Sequence, residues 1–435
     1  MSLQEYINEQ GYNTNNWFLE FTNEVSQQQR IMDIIKKKEY LAGSHKINNR
    51  PPEMFNGKPF EPRRIVLNYG ARLIEYATSY LVGNGITYSG DQDIVTEIQR
   101  VYKNGFEQID FDIVQSVYAY GNAYEYVYIK DGKIRSKMID CADSYPVIDN
   151  DGEYVGFVES YTTNNVTFWN VHDGVTVTKY SNAGGELQLR GRFTSISGLP
   201  VLYRNENPLD STFGRSDLDD YVGILDNMED LISKSTDAFY KHVTGIPIIK
   251  GQKLKGDDTL PTEVVGGGLT LDSDSEFYFA NNEFNHDSFK TLYSHLMMSL
   301  MDVSGTPSVA MGKVDVSNLS EISLKLLFSV ANLKAMITER YIKEGLKSRL
   351  ESIRKLLEIQ GKKFTEEQWD SINITFQYAM PTSESDIIDN LKVLKEIGGL
   401  SLESLLKHNP YVTDVTSELE RLSGEKIDSG QGNES

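Results

Sequence analysis

The chain has 435 residues, with 63 acidic against 43 basic side chains and a formal charge of −20, a balance that opposes wrapping its outer surface around a polyanion or an anionic membrane and excludes a generic basic nucleic-acid binder. Its length allows two or three cores, and a hydrophobic fraction of 39% with 11% aromatics excludes a disordered protein. The single Cys141 cannot close an intramolecular disulfide, the start MSLQEYINEQGYNTNNW lacks the pattern of a signal peptide, and no run of about 18 apolar residues offers a membrane span, so the chain reads as an intracellular product.

Residues 16 to 42 read as one surface helix, with lysines in its last turn before Gly43. SHKINNRPPEMFNGKPFEP follows as a loop. RRIVLNYGARLIEYATSYLVGNG places Ile65, Tyr69, Leu73, Ala77 and Leu81 four residues apart and predicts a buried helix ending at Gly83 and Gly85. DIVTEIQRVYKNG and IDFDIVQSVYAYG predict two shorter helices.

After Gly121 the period changes to two. NAYEYVYIKDGKIRSKMI, YPVIDNDGEYVGFVESY and VTFWNVHDGVTVTKY each carry two β-rich runs around an Asp-Gly turn, which predicts three hairpins joined as one antiparallel meander. A turn at NAGGE extends it through LQLRGRF to about residue 204. The acidic run at 149 to 152 lacks the ligand spacing and distal Glu of an EF-hand and reads as a hairpin turn.

NPLDSTFGRSDLDDYVGILDNMEDLISKSTDAFYKH returns to a helical period, with Leu218, Val222, Leu225, Glu229 and Ile232 on one stripe. Its acids, Asp217, Asp219, Asp220, Asp226, Glu229, Asp230 and Asp237, outweigh Lys234 and Lys241 and read as a solvated face. Residues 243 to 284 form a β-like insert, and a helix over 286 to 303 resumes, giving a hairpin of two helices with a small domain at its tip.

GTPSVAMGKVDVSNLSEIS, from Gly305, looks at first like a phosphate-binding loop. A Walker A loop needs four residues between its glycines and a Ser or Thr after the lysine; here six separate Gly305 from Gly312, Val314 follows Lys313, and a helical pattern precedes it. The nucleotide reading fails. The longest helical pattern follows, 319 to 360, with one apolar stripe of Leu319, Ile322, Leu326, Val330, Leu333, Ile337 and Tyr341 and a second of Leu346, Leu350, Ile353 and Leu357. The stripes part at Gly345, where a kink is expected. This helix is rich in Lys and Arg, so charge is segregated by element. NITFQYAMP predicts a strand, residues 380 to 424 short helices separated by Gly-Gly and Asn-Pro, and the last residues a disordered tail.

No catalytic constellation is present in the sequence: the six histidines are scattered, without H-E-x-x-H, a cysteine cluster, G-x-S-x-G or a G-x-G-x-x-G after a strand. Neither a metal site nor a cofactor is expected.

The order of elements is more specific than any motif. EYLAGSH, RRIVLNYGARLIEYATSYLVGNGITY, YAYGNAYEYVYI, GLPVLYRNENPLDSTFGRSDLDDYVGILDNMEDLISKS and SGTPSVAMG occur in the order, and at roughly the spacing, that resembles the portal proteins of tailed double-stranded DNA bacteriophages of the siphophage type. The resemblance covers residues 30 to 400. It implies an α+β portal fold with a helical stem, an α/β wing containing the β meander, a small β clip insert and a helical crown. Residues 1–215 would be wing, 216–242 and 285–304 stem helices, 243–284 clip, 305–319 tunnel loop, 320–379 a long kinked wing helix and closing strand, 380–424 crown and 425–435 disordered tail.

It further implies a non-enzymatic ring, usually of twelve copies, at the portal vertex of a virion capsid assembled in the host cytoplasm. Double-stranded DNA would pass through it without sequence recognition. The large terminase subunit and a head-completion or adaptor protein would dock on it, with major capsid and scaffolding proteins beside it and no membrane involved. The tunnel loop would present Lys313, Asp315, Ser317 and Asn318 to DNA, with Gly305 and Gly312 as hinges; a plain solvent-exposed loop lysine is the other reading of Lys313. Lys250, Lys253, Lys255, Asp257 and Asp258 would meet partners at the clip. A non-channel tail or baseplate component is the alternative.

Overall fold

Helices and antiparallel sheets alternate along the computed structural model, which describes residues 2–55, 58–243, 246–251, 274–280, 286–311, 325–380, 384–409, 411–412 and 415–430. The chain opens with α1 (Leu3–Gln10), closed at its start by a capping box between Ser2 and Glu5. The single helix expected over 16 to 42 is two, α2 (Trp17–Thr22) and α3 (Val25–Leu41). At the break the Asn23 side chain donates to the Leu19 carbonyl at 2.8 Å and Gln28 donates to that of Thr22 at 2.6 Å, side-chain bonds that compete with helix continuation.

The proline-rich loop contains a short hairpin, β1 (Glu53–Phe55) with β2 (Lys58–Phe60). The helix expected from Arg63 begins only at Tyr69: α4 is Tyr69–Val82, and residues 61–68 have no regular structure. Next come β3 (Ile86–Ser89), α5 (Gln92–Tyr102), with Asp91 accepting from two first-turn amides, and α6 (Phe106–Tyr120).

The hairpins expected after Gly121 all form, but they divide between two sheets. β4 (Asn122–Lys130) and β5 (Lys133–Ile139) join β11 (Val201–Arg204) in one sheet. The other runs β10 (Gln188–Thr194), β9 (Thr176–Ser181), β8 (Val166–His172), β7 (Tyr154–Thr163), β6 (Ser144–Ile148). A 3-10 turn at Cys141–Asp143 separates β5 from β6. Alternation shows which face of a strand is buried, but not which strand comes to lie beside it. At the Asp-Gly turn of the first hairpin both Asp131 and Gly132 have positive φ, 52° and 71°, as a two-residue hairpin loop requires.

α7 (Leu218–Val243) leads to the strand pair β12 (Ile246–Lys250) and β13 (Glu276–Ala280), and α8 (His286–Ser304) returns. Leu218, Tyr221, Leu225 and Met228 of α7 share one core with Met297, Leu300 and Met301 of α8, together with α4, α6 and the long helix α9 (Ser329–Ile359). A second core packs α1 to α3 on the sheets, and a third joins α5, β4, β5 and the end of α9 around Trp369. β14 (Asn373–Phe376) pairs with β3. The last helix, Val415–Gly430, continues into the segment whose composition reads as disordered.

α9 departs from the sequence pattern. Its second apolar stripe, Leu346, Leu350, Ile353 and Leu357, is buried as expected. Of the first stripe, Leu319 and Ile322 lie outside the described residues, while Leu326, Val330, Leu333 and Ile337 are 69%, 53%, 61% and 40% exposed. The buried side of that half is instead Ala331, Ala335, Thr338 and Ile342. Small side chains let the helix approach α4 and β11 closely, so hydrophobicity alone selected the wrong face. The helix is hydrogen-bonded continuously through Gly345, where a Cβ would stand 2.2 Å from the Tyr203 ring. Close packing accounts for the glycine.

Candidate functional site

Three polar constructions tie α7, α8 and α9 to their neighbours. The first stands at the end of α8. Gly305, with φ of 68°, donates its amide to the Asp302 carbonyl at 3.3 Å and turns the chain out of the helix. Lys334 donates to the Ser304 carbonyl at 2.7 Å, pairs with Asp217 and lies 5.6 Å over the Tyr118 ring. A cation there suits the negative end of the α8 dipole. Asp217 accepts from the Asn205 amide at 3.1 Å, and Thr338 donates to Asn205 at 3.2 Å. The end of α8, the start of α7 and the exposed half of α9 are thus tied together around a cavity of about 390 Å³.

The second construction runs along α7. Its acids were expected to be solvated, and Asp219 and Asp220 are exposed, but Glu229 and Asp237 are buried. They receive backbone amides: Leu67 donates to Glu229 at 2.8 Å, Ile65 to Ser233 at 3.0 Å and Arg63 to Asp237 at 3.0 Å. Every second residue of an extended chain advances about 6.6 Å, and every fourth residue of a helix about 6 Å. The two repeats match closely enough for three consecutive rungs. This ladder uses the donors of residues 63–67 and explains why α4 starts late. Glu229 also meets His45 Nδ1 at 2.5 Å, with His45 Nε2 facing the Tyr40 carbonyl at 2.8 Å, and Arg50 pairs with Asp237 at 2.9 Å.

The third fixes α9 to the sheet. Arg349, fully buried, donates to Glu125 of β4 at 2.8 Å, to Tyr102 at 3.0 Å and to Asp110 of α6. Tyr203 donates to the same Glu125 oxygen that Arg349 Nε reaches, Oε2, at 2.6 Å. Two carboxylates face one guanidinium, and burial pushes the Asp110 carboxyl up to about 6 despite Arg349. Burial also raises the Cys141 thiol to about 11, so this cysteine is a packing residue.

Of the residues singled out in the sequence, Gly305 ends α8 with positive φ, and Gly345, expected at a kink, lies inside a continuous helix against the Tyr203 ring. Lys250 is exposed, 3.6 Å from Glu276 on the paired strand. Lys313, Asp315, Ser317, Asn318, Gly312, Lys253, Lys255, Asp257 and Asp258 lie outside the described residues. The residues missed were Lys334, Asp217, Glu229, Arg349, Asp110 and Glu125. Arg349 had a signal, since it falls between Leu346 and Leu350 on a buried stripe, where an unpaired charge is not tolerated. Among the described residues no group of side chains could hold a metal ion, and no helix is long and apolar enough to cross a membrane.

Comparison with known proteins agrees with the order of elements. The portal protein of Bacillus phage SPP1 is 22% identical over 388 residues, covering 81% of this chain and 74% of that protein. Among solved structures, a chain in the virion of a native gene transfer agent particle is similar with a TM-score of 0.48 and 11% identity, over 86% of this chain and 91% of that one. A chain in the neck of the native particle, computed with C12 symmetry, has a TM-score of 0.47 and 12% identity, over 78% and 89%. Residues 23–432 match the family described as phage portal protein, SPP1 Gp6-like, and the chain belongs to that family.

Proposed function

We propose that copies of this chain form a ring at one capsid vertex, usually twelve, through which double-stranded DNA is packaged and ejected, and on which the terminase motor and head-completion proteins dock. The observation that carries the ring is the first half of α9, where Val330, Leu333 and Ile337 are exposed, with Leu326 exposed just before it. A helical stripe of that kind in a soluble chain marks an interaction surface. Subunits placed head to tail bury one such face against a different face of the neighbour and close when the rotation allows. In this reading residues 1–215 form the wing, α7 and α8 the stem, 243–284 the clip, 305–319 the tunnel loop and 380–424 the crown.

An acidic protein suits a channel in which DNA slides, because a basic lining would displace counterions and grip it. Lys313 would contribute one positive charge per subunit near the narrowest point, with Asp315, Ser317 and Asn318 facing the duplex and Gly312 giving the loop freedom. Such contacts reach phosphates and read no bases. Lys250, Lys253, Lys255, Asp257 and Asp258 would meet the docking proteins. The chain itself would hydrolyse no ATP.

The test is native mass determination with negative-stain electron microscopy of the purified protein. Rings of about a dozen subunits with a central hole wide enough for a duplex are expected. Closed trimers would overturn the channel and favour a tail or baseplate component. In assembled rings, Lys313→Glu should leave assembly intact and impair packaging or retention of DNA; normal packaging would remove the loop from the mechanism.

A further inference from the structure

The two sheets that divide the hairpins face one another across a cleft. In the register of β4 and β5, Tyr126 stands opposite Lys137 and Tyr128 opposite Arg135; Tyr124, two residues earlier, turns the same face into the core against Phe157. In the other sheet Glu159, Asn170 and Lys179 share one row, and Phe157, His172, Val177 and Phe193 the next row of that same face. Deep between the sheets the two faces touch through Tyr124 and Phe157. Towards the strand ends they part and leave a cavity of about 240 Å³, walled by Tyr126, Tyr128, His172, Phe193, Lys137 and Lys179.

Its chemistry is particular. Four rings line it, with Phe193 beside the other three: Tyr126 and Tyr128 stack at 6.2 Å, and His172 meets Tyr126 edge-on at 5.1 Å. His172 is 3% exposed and its Nδ1 has no hydrogen-bond partner, a cost that an incoming hydroxyl or N–H would remove. Lys137 and Lys179 are exposed at the mouth beside Arg135, while the one acid in the row, Glu159, is already bonded by Lys137 at 3.2 Å and Asn170 at 2.7 Å. The mouth is therefore positive on a protein of charge −20.

We propose that this cleft is a docking site for an acidic protein segment, which plants one tyrosine or tryptophan side chain between the sheets and sets its carboxylates against Lys137, Lys179 and Arg135. Size decides against a free small molecule: such sites usually run to about 300–1,000 Å³, and this one holds a single aromatic side chain. Charge decides against nucleic acid, because three cations with a glutamate among them supply little of the counterion release that drives polyanion binding. Aromatic anchors in a desolvated pocket with charges at its rim are the usual energetic centre of a protein interface.

The experiment is fluorescence anisotropy on the full chain with a dye-labelled peptide carrying one tryptophan between pairs of aspartates. Saturable binding is expected, weakened at least about fivefold by Lys179→Glu, by Tyr128→Ala, which removes one wall of the cavity, and by alanine in place of the peptide's tryptophan. Equal binding to both variants, or to the peptide without tryptophan, would overturn the site. A single-stranded oligonucleotide that binds through Lys179 where the peptide does not would overturn it in favour of nucleic acid.

Discussion

Glu229, buried on α7, accepts the Leu67 amide at 2.8 Å, and this bond is the first rung of the ladder that straps residues 63–67 along the helix. Replacing Glu229 by Ala leaves the Leu67 amide and His45 Nδ1 without their acceptor in a buried place, which should cost about 2–4 kcal/mol. Asp230→Ala, next to it but half-exposed in an i,i+4 pair with Lys234 at 2.8 Å, should change stability by less than about 0.5 kcal/mol. Urea unfolding of the two variants separates a structural acid from a solvated one. Equal effects would remove the ladder's energetic role.

Gly345→Ala distinguishes packing from flexibility. On helix propensity alone alanine should stabilise by about 1 kcal/mol. The new Cβ would stand 2.2 Å from the Tyr203 ring, and overpacking of that kind costs about 1–3 kcal/mol. Thermal unfolding should therefore show a loss of stability. A gain would mean that the glycine serves bending after all.

Arg349 should be the most damaging single substitution in the core. Arg349→Met strands the Glu125 and Asp110 carboxylates, at about 3–5 kcal/mol; adding Asp110→Asn and Glu125→Gln should recover part of that loss. The pH dependence has a definite sign. Asp110, ordinarily near 3.8, is raised to about 6 in the folded chain by burial, so the folded state holds its proton more firmly. Its contribution is fully present below about pH 4 and is lost as pH rises through 6. His172, lowered to about 3 by burial and then by Lys137 and Lys179, acts oppositely: its contribution is present above its ordinary 6.5 and is lost as pH falls towards 3. The difference between wild type and Asp110→Asn isolates the first effect. Between pH 7 and 5 the wild type should gain stability relative to the variant, and a flat difference would refute the assignment.

Element types were legible in the sequence because turns and periods are local. Asp131-Gly132 and the alternating strands announced β4 and β5, and Leu350, Ile353 and Leu357 announced the buried end of α9. Partnerships were not legible, since they depend on which surface arrives from far along the chain. Arg63, Ile65 and Leu67 could not extend α4 because Asp237, Ser233 and Glu229 take their amides from more than 160 positions away. The same holds for the candidate site. Gly305 was visible as a break, whereas Lys334 at its foot has meaning only once Ser304 and Asp217 are beside it.

The exposed stripe on α9 gives the last prediction. Leu333 and Ile337 are one turn apart, on the side away from Ala331, Ala335 and Thr338. Because neither is part of the buried face, Leu333→Asp with Ile337→Asp should leave the single chain as stable as wild type, within about 0.5 kcal/mol per site. Between copies the same charges would enter an apolar contact without partners, at a cost of several kcal/mol per interface. A closed ring repeats that cost at every joint, so the double variant should sediment as monomer at concentrations where wild type assembles. Rings of normal mass from a folded double variant would place the subunit contact elsewhere and leave the stripe to be covered within its own chain.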